Sequence, residues 1–300
     1  MNLYEKILEE SRSVNNFWKA KVDGNFSHVK INFGKYGLKV EGNFAEQNFP
    51  LNSFFIADKN LNINVKNFLM LEASESKTKN IDFINQLIHD RKENFIGKTL
   101  VAVGGGIILD TALCIAQILS LKIILVPTSI LAMSDSSIGS KARANKVVGD
   151  KFMKHFYREL HDPGEIVICE NFLDTIPDRA VLFSSAEIIK HAFFQSDDLL
   201  DYLISNSFEP FQDKKSLMKA ILWTADLKRV CMEVDPRESV EGSRKIIREG
   251  HIMADKIEKE SGFTVSHGEA VLRGIKHDLE IASNKTRLDW FNTIYNKLKI

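Results

Sequence analysis

The sequence predicts a two-domain chain, α/β followed by all-α. Residues 1–173 read as a Rossmann-like domain and residues 174–300 as a helical one. Three observations predict it. Short apolar runs alternate with helix-forming runs through the first half, the pattern of a parallel sheet with crossover helices. One of those runs breaks at Gly104-Gly105-Gly106 and passes directly into an apolar helical run. Beyond Thr175 the texture changes to successive helical segments, with Pro177 where a helix would start.

Composition sets the outer limits. The chain has 300 residues, 44% of them hydrophobic, enough for two domains with proper cores. Lys+Arg and Asp+Glu are both 40, so net charge gives no reason to expect a nucleic-acid partner. Cys114, Cys169 and Cys231 lie far apart in apolar segments and read as reduced core residues of a cytoplasmic protein. The N-terminus is polar and charged, and no apolar run is long enough to span a bilayer, so neither a leader nor a membrane partner is expected.

Leu3 to about Lys19 predicts a helix with Leu3, Ile7 and Ser11 on one side, either an added element or a dimer contact. His28 to Phe33 alternates as a strand, followed by a turn at Gly34-Lys35-Tyr36-Gly37. Ser53 to Ala57 is an apolar strand ending in Asp58-Lys59-Asn60, where a carboxylate can meet ribose hydroxyls or simply close a turn. Asn67 to Leu71 is a further strand, and Ile81 to Arg91 an amphipathic helix. Then comes the central unit. Thr99 to Val103 reads as a buried strand, Ile107 to Leu119 as a helix with Asp110 in its first turn, and Lys122 to Val126 as a second strand stopped by Pro127. The glycine turn places backbone N–H groups at a helix N-terminus, a natural phosphate seat, although a bare triple glycine is a weak signal. Glu165 to Cys169 is the last strand of this domain. Helices follow over 178–194, 199–204, 215–232, 242–261, 267–283 and 288–298.

The glycine turn has company. Pro127-Thr128-Ser129, Asp135-Ser136-Ser137 with Gly139 and Lys141, Ala186-Glu187-Ile188-Ile189-Lys190, Gly250-His251 and His267-Gly268-Glu269-Ala270-Val271 follow it in order. With the Asp58-x-Asn60 pair, this set resembles the 3-dehydroquinate synthase family, the sugar phosphate cyclases. The resemblance implies a dinucleotide-binding domain, a helical metal-binding domain, NAD and zinc (or cobalt) as cofactors, a small anionic sugar-phosphate substrate and a homodimer. It implies cofactor contacts at Asp58, Asn60, Glu75, Lys77, Gly104, Gly105, Gly106, Asp110, Thr128, Ser129, Asp135, Lys141 and Thr175. For Glu75 and Lys77 a solvated loop is an equal reading, and Lys79 crowds the same stretch as a rival. It implies catalytic roles for Asp135, Lys141, Lys190, Lys228 and Arg244, with the cations suited to carboxylate or phosphate, and Arg244 two turns before His251 on one helix. It implies Glu187, His251 and His267 as metal ligands, three donors with positions left open. Spacing alone leaves rivals, since His191 follows Glu187, and Asp255 follows His251, by four residues. His155 and His277 have no such context.

The departures from the family are as informative. Asp255 stands where a second histidine is usual, and Arg248 stands for an asparagine. Asp150-Lys151 replaces a Lys-Asn pair, and the segment between Ala116 and Lys122 is short and lacks a phosphate-gripping arginine. The family's last helical segment and its lysine are expected to be absent after Val271. The expected activity is therefore that of a sugar phosphate cyclase, a phosphate-eliminating lyase that recycles its NAD, with a rebuilt substrate half. Two other readings stay open, a metal-dependent NAD polyol dehydrogenase and a catalytically impaired binding relative.

Overall fold

The computed structural model describes residues 1–21, 26, 29–205, 211 and 213–298, and the expected strand residue His28 lies outside them. The chain divides into two compact units. One comprises Ser27–Ala132 and Ser136–Asp174; the other comprises Met1–Phe26, Met133–Asp135 and Thr175–Ile300.

The first unit is built on β1 (Lys30–Asn32), β2 (Gly37–Glu41), β3 (Ser53–Asp58), β4 (Phe68–Leu71), β5 (Thr99–Gly104), β6 (Ile123–Pro127) and β9 (Glu165–Cys169). They form one sheet in the order β1-β2-β9-β6-β5-β3-β4. Every pairing is parallel except β1 with β2. The continuous apolar runs predict this, because a parallel strand is covered on both faces. Strand β2 escapes the sequence reading although it alternates, with Leu38 and Val40 buried; it pairs in parallel with β9. The helix α2 (Ile81–Phe95) runs four residues past Arg91, whose own backbone is non-helical and marks a kink.

The helix α3 (Gly106–Leu119) is buried continuously from Ile108 to Ala116. A helix apolar on all sides needs cover on all sides. The sheet gives one side, and a two-stranded hairpin, β7 (Lys141–Val148) and β8 (Lys151–Leu160), gives another through β7. The hairpin turns at Gly149-Asp150, where Gly149 has φ +56°, and it is not apparent from the polar sequence of β8.

The second unit is helical. The first helix, α1 (Leu3–Ala20), starts with a capping box between Asn2 and Glu5. It belongs here and not with the sheet, which corrects a first domain expected to begin at residue 1. The reason is side-chain burial: Ile7, Ser11, Val14, Asn15 and Trp18 are buried, and the helix lies along α7 (Lys214–Val234). Trp18 Nε1 donates to Asp226 Oδ2 at 3.0 Å, and Trp223 Nε1 donates to Asn15 Oδ1 at 2.9 Å.

Two long helices expected from the sequence are each broken. The 178–194 segment divides into α4 (Asp178–Ser184) and α5 (Ala186–Phe194). After α6 (Asp197–Ser205) and α7, the 242–261 segment divides into α8 (Arg244–Ile247) and α9 (His251–Glu260). Then come α10 (His267–Ile281) and α11 (Lys285–Leu298). The breaks have a steric origin in close backbone approach. Gly250 separates α8 from α9 at φ +75°, and the backbone of Gly274 in α10 lies against its carbonyl. A Cβ on Gly268 would stand 1.8 Å from the Phe183 carbonyl oxygen, one turn before α5. No helix among the described residues is long and apolar enough to cross a membrane.

Candidate metal centre and dinucleotide edge

Those breaks bring three side chains of the helical unit together. Glu187 sits in the first turn of α5, His251 opens α9 and His267 opens α10. The Nε2 atoms of His251 and His267 lie 3.6 and 3.7 Å from Glu187 Oε1. These separations exceed a hydrogen bond. Two donors each about 2.1 Å from a shared ion at a tetrahedral angle are about 3.4 Å apart, so the spacing suits ligands. The outer nitrogens are oriented. His251 Nδ1 faces the Glu249 carbonyl at 3.1 Å, and His267 Nδ1 faces Glu258 Oε1 at 2.9 Å. Donation from each Nδ1–H leaves each Nε2 bare and aimed at the common point, the arrangement that fixes metal-binding imidazoles. Burial pushes the His251 imidazole down to about 4, with Lys190 and His267 acting the same way, so it stays neutral. Glu258 was not predicted. Its signal was available, since it follows His251 by seven residues on one helical face.

Around Glu187 the charges balance. Lys190 pairs with Glu187 Oε2 and donates to the Ile247 carbonyl at 3.1 Å. Lys228 Nζ lies 2.6 Å from Asp135 Oδ1 and donates to the Asp135 carbonyl at 3.1 Å. Burial would raise the pKa of the Glu187 carboxyl, but Lys190 and the two histidines outweigh it and hold it well below the usual range. Likewise burial would lower the Lys190 pKa, and Glu187 with Asp135 keeps it raised. Of the five residues given catalytic roles by resemblance, Asp135, Lys190 and Lys228 converge here. Arg244 does not: it is exposed on α8, cut off from His251 by the break at Gly250. Lys141 is half-buried at the start of β7, in the other unit. Arg248 and Asp255, two of the departures, pair with each other at 2.8 Å, both about 40% exposed.

In the sheet unit a second set of residues collects at the carboxyl ends of parallel strands. Asp58 ends β3, Gly104 ends β5 and pairs with Pro127 of β6, and the Glu75 loop follows β4. Such an edge is where open α/β sheets bind ligands. Asp58 Oδ1 accepts the Asn60 amide at 2.9 Å, closing a turn while its other oxygen stays available, and Asn60 itself is exposed. Thr128 N–H donates to the Gly104 carbonyl, and Ser129 Oγ caps the Ala132 amide. Thr175 is exposed and belongs to the helical unit.

Lys77 is exposed, whereas Lys79 is buried with Nζ 2.6 Å from Asp110 Oδ2 and 3.9 Å from Glu75 Oε1. Burial acts to lower the Lys79 pKa, but Asp110 and Glu75 outweigh it. Spacing carried this signal too, because Glu75 and Lys79 are four residues apart. Asn145 of β7 completes the cluster by donating to the Glu75 carbonyl and to Glu75 Oε2.

The three glycines play different parts. A Cβ on Gly104 would stand 2.8 Å from Ile108 Cβ, and one on Gly106 would stand 2.9 Å from Ser136 Oγ. One on Gly105 meets only Ser129 Oγ at 3.6 Å, and its φ of −76° suits any residue. Gly105 caps α3 without a side-chain hydrogen bond, so valine there should fold normally yet crowd the N–H groups above the helix end. Gly105→Val is expected to weaken NAD+ binding by well over tenfold, about 1.4 kcal/mol or more. Equal affinities by calorimetry would remove the dinucleotide from this turn.

His155 is less ordinary than its sequence suggests. Burial, reinforced by Lys79 and Arg143, pushes its imidazole down to about 2. The unfolded chain then takes up a proton near pH 6.5 that the folded chain refuses. Stability from this residue is intact above that pH and falls by roughly 1.4 kcal/mol per pH unit below it, toward pH 2. Urea titrations at pH 7, 6 and 5 should show a steeper loss in wild type than in His155→Gln; parallel curves would contradict the assignment.

The comparisons agree with this architecture. The 3-dehydroquinate synthase N-terminal family model matches residues 69–183 and the C-terminal model matches 184–298. A 3-dehydroquinate synthase of Pelagibacter ubique is 30% identical over 93% of this chain and 78% of its own. One from Alkaliphilus metalliredigens is 30% identical over 71% of this chain, which spans 60% of that relative. Among solved structures, 2-epi-5-epi-valiolone synthase from Streptomyces hygroscopicus, with NAD+ and Zn2+ bound, superposes with a TM-score of 0.74 at 17% identity, covering 91% of this chain and 82% of its own. A 2-deoxy-scyllo-inosose synthase complexed with carbaglucose-6-phosphate, NAD+ and Co2+ gives 0.72 at 19% identity, covering 90% and 80%. Fold and site together define the class in which an α/β dinucleotide-type unit is joined to a helical unit carrying a carboxylate–imidazole centre. Within that class, the chain belongs to the 3-dehydroquinate synthase family.

Proposed function

We propose that this chain is an NAD- and metal-dependent sugar phosphate cyclase of 3-dehydroquinate synthase type, with a substrate pocket altered from the family pattern. The observation that carries the reading is the convergence of Glu187, His251 and His267, in a chain that also carries a glycine turn at the carboxyl edge of a parallel sheet. Related folds holding NAD+ with Zn2+ or Co2+ support it. Glu187, His251 and His267 would hold zinc or cobalt. Bound there, the metal would polarise a substrate hydroxyl while NAD+ accepts hydride from its carbon. The chain's part is to orient both imidazoles, to hold Glu187 ionised through Lys190, and to offer the Asp135–Lys228 pair to polar groups of the substrate. The Asp58, Glu75–Lys79 and Gly105 edge would seat the dinucleotide. Phosphate elimination, re-reduction and aldol closure would follow, with the cofactor regenerated in each turnover. A homodimer in the cytoplasm belongs to the same reading, and sedimentation checks its assembly.

A polyol dehydrogenase is the second reading, supported by a fold likeness to a probable glycerol dehydrogenase from Sinorhizobium meliloti at a TM-score of 0.56 and 14% identity. The two part in one assay. With sugar-phosphate candidates, zinc and NAD+, a cyclase releases inorganic phosphate without accumulating NADH. Stoichiometric NADH with no phosphate would establish the dehydrogenase. Neither product, with metal and NAD+ bound, would establish a binding relative.

A further inference from the structure

One imidazole of the helical unit is left unused by the metal centre. His191, on α5, is fully buried, and its Nε2 has no hydrogen-bond partner within the chain. Its other nitrogen is committed, because Nδ1 meets Gln195 Oε1. The Gln195 amide cannot be reversed, since its Nε2 donates to the Leu227 carbonyl at 2.9 Å and to Ser11 Oγ at 3.0 Å. Ser11 belongs to α1, and its hydroxyl hydrogen is already given to the Ile7 carbonyl at 2.7 Å. Each group therefore accepts from the next, and Gln195 Oε1 is left to accept from Nδ1–H. The imidazole keeps a lone pair on Nε2.

That ring stands beside two carboxylates. A His191 ring nitrogen, an Asp135 oxygen and a Glu187 oxygen all lie within 4.8 Å of one another. At that spacing an oxygen donor about 2.8 Å from the ring nitrogen can give one hydrogen to it and, if a water, the other to one carboxylate. A second metal ion suits the place poorly, because Lys228 already pairs with Asp135 and Glu187 is the carboxylate of the first centre. A buried acceptor without a donor costs free energy, so the arrangement calls for a neutral donor.

We propose that His191 is a positioning residue of this site: Gln195, fixed by the Leu227 carbonyl and by Ser11 of the N-terminal helix, holds its imidazole as the Nδ1–H tautomer. Nε2 then accepts a hydrogen bond from a hydroxyl donor, an internal water or a substrate hydroxyl, seated against Asp135 and Glu187. Neutrality of the ring agrees with this, since burial and then Lys190 push its pKa down to about 4. The substrate arm rests on the cyclase reading, whereas the tautomer and the donor do not.

Nitrogen-15 spectra of histidine-labelled, full-length protein test it with zinc removed and with zinc added. The expected His191 signals are a protonated Nδ1 and an unprotonated Nε2 displaced by an accepted hydrogen bond. Gln195→Leu removes the acceptor at Nδ1 and should populate the second tautomer without changing zinc content. Added glucose 6-phosphate separates the sources: a moved Nε2 signal assigns the donor to a sugar hydroxyl, and an unmoved, displaced signal assigns it to water. A protonated Nε2 in wild type, an Nε2 at the unbonded position, or zinc falling from two to one per chain in His191→Ala would each overturn the proposal. The wild-type spectrum decides even if the variants fail to fold.

Discussion

His251→Ala is expected to reduce bound divalent metal from about one per chain to almost none at micromolar free zinc, and to abolish turnover with it. Removal of a metal ligand's hydrogen-bond partner alone costs about 10- to 100-fold in metal affinity, so loss of a ligand should cost at least the upper end. The fold should survive, because His251 is held neutral and its removal strands no charge. Glu187→Ala is the contrasting case. It leaves the Lys190 ammonium fully buried beside Asp135 without its main partner, and breaking a buried pair typically costs about 3–5 kcal/mol. Elemental analysis and thermal melts of both variants separate the effects. Wild-type metal content in His251→Ala would sink the ligand assignment, whatever happens to activity.

With the seven-carbon deoxyheptulosonate phosphate of 3-dehydroquinate synthases, turnover is expected at least a hundredfold below the enzyme norm of about 10 per second. Oxidation of a hydroxyl requires dinucleotide, metal and nearby polar groups, and the proposed site offers candidates for each. Gripping a phosphate requires several cationic donors at fixed geometry. Here Arg244 is exposed on its own short helix, and Lys190 and Lys228 are spent on carboxylates. Asp150, replacing a lysine, lies exposed at the hairpin turn. Arg248 is engaged with Asp255, although an ion pair this exposed is worth at most about 1 kcal/mol and an anion could displace it. Asp255 also exchanges an imidazole, able to act as acid and base near neutral pH, for a carboxyl paired with Arg248. Steady-state kinetics with zinc and NAD+ decides: dehydroquinate formed at a rate on the order of 10 per second would mean that the pocket is not rebuilt.

By itself the sequence determined the central strand–glycine turn–helix–strand unit, the parallel sheet around it and the helical second half. Long apolar runs and a glycine break are local signals, and they survive packing. It also named Glu187, His251 and His267, through motifs whose order along the chain resembles a family. What it could not determine depends on contacts between distant segments. The extent of the β7–β8 pairing follows from partners in the fold, and α1 joins the helical unit because Asn15 and Trp18 bond to α7. Periodicity ran two helices through residues 185 and 250, since nothing in a helical repeat reports that another backbone will press against Phe183 or Gly250. Those interruptions set His251 and His267 at helix starts aimed at one carboxylate and leave Arg244 outside. That Lys79 is buried beside Asp110 while Lys77 is exposed, and that Gln195 is fixed between His191, Leu227 and Ser11, are likewise facts of packing. Residue identities fixed which groups could bind or exchange a proton; only packing decided which of them share a site, because pairing and desolvation are properties of the folded neighbourhood.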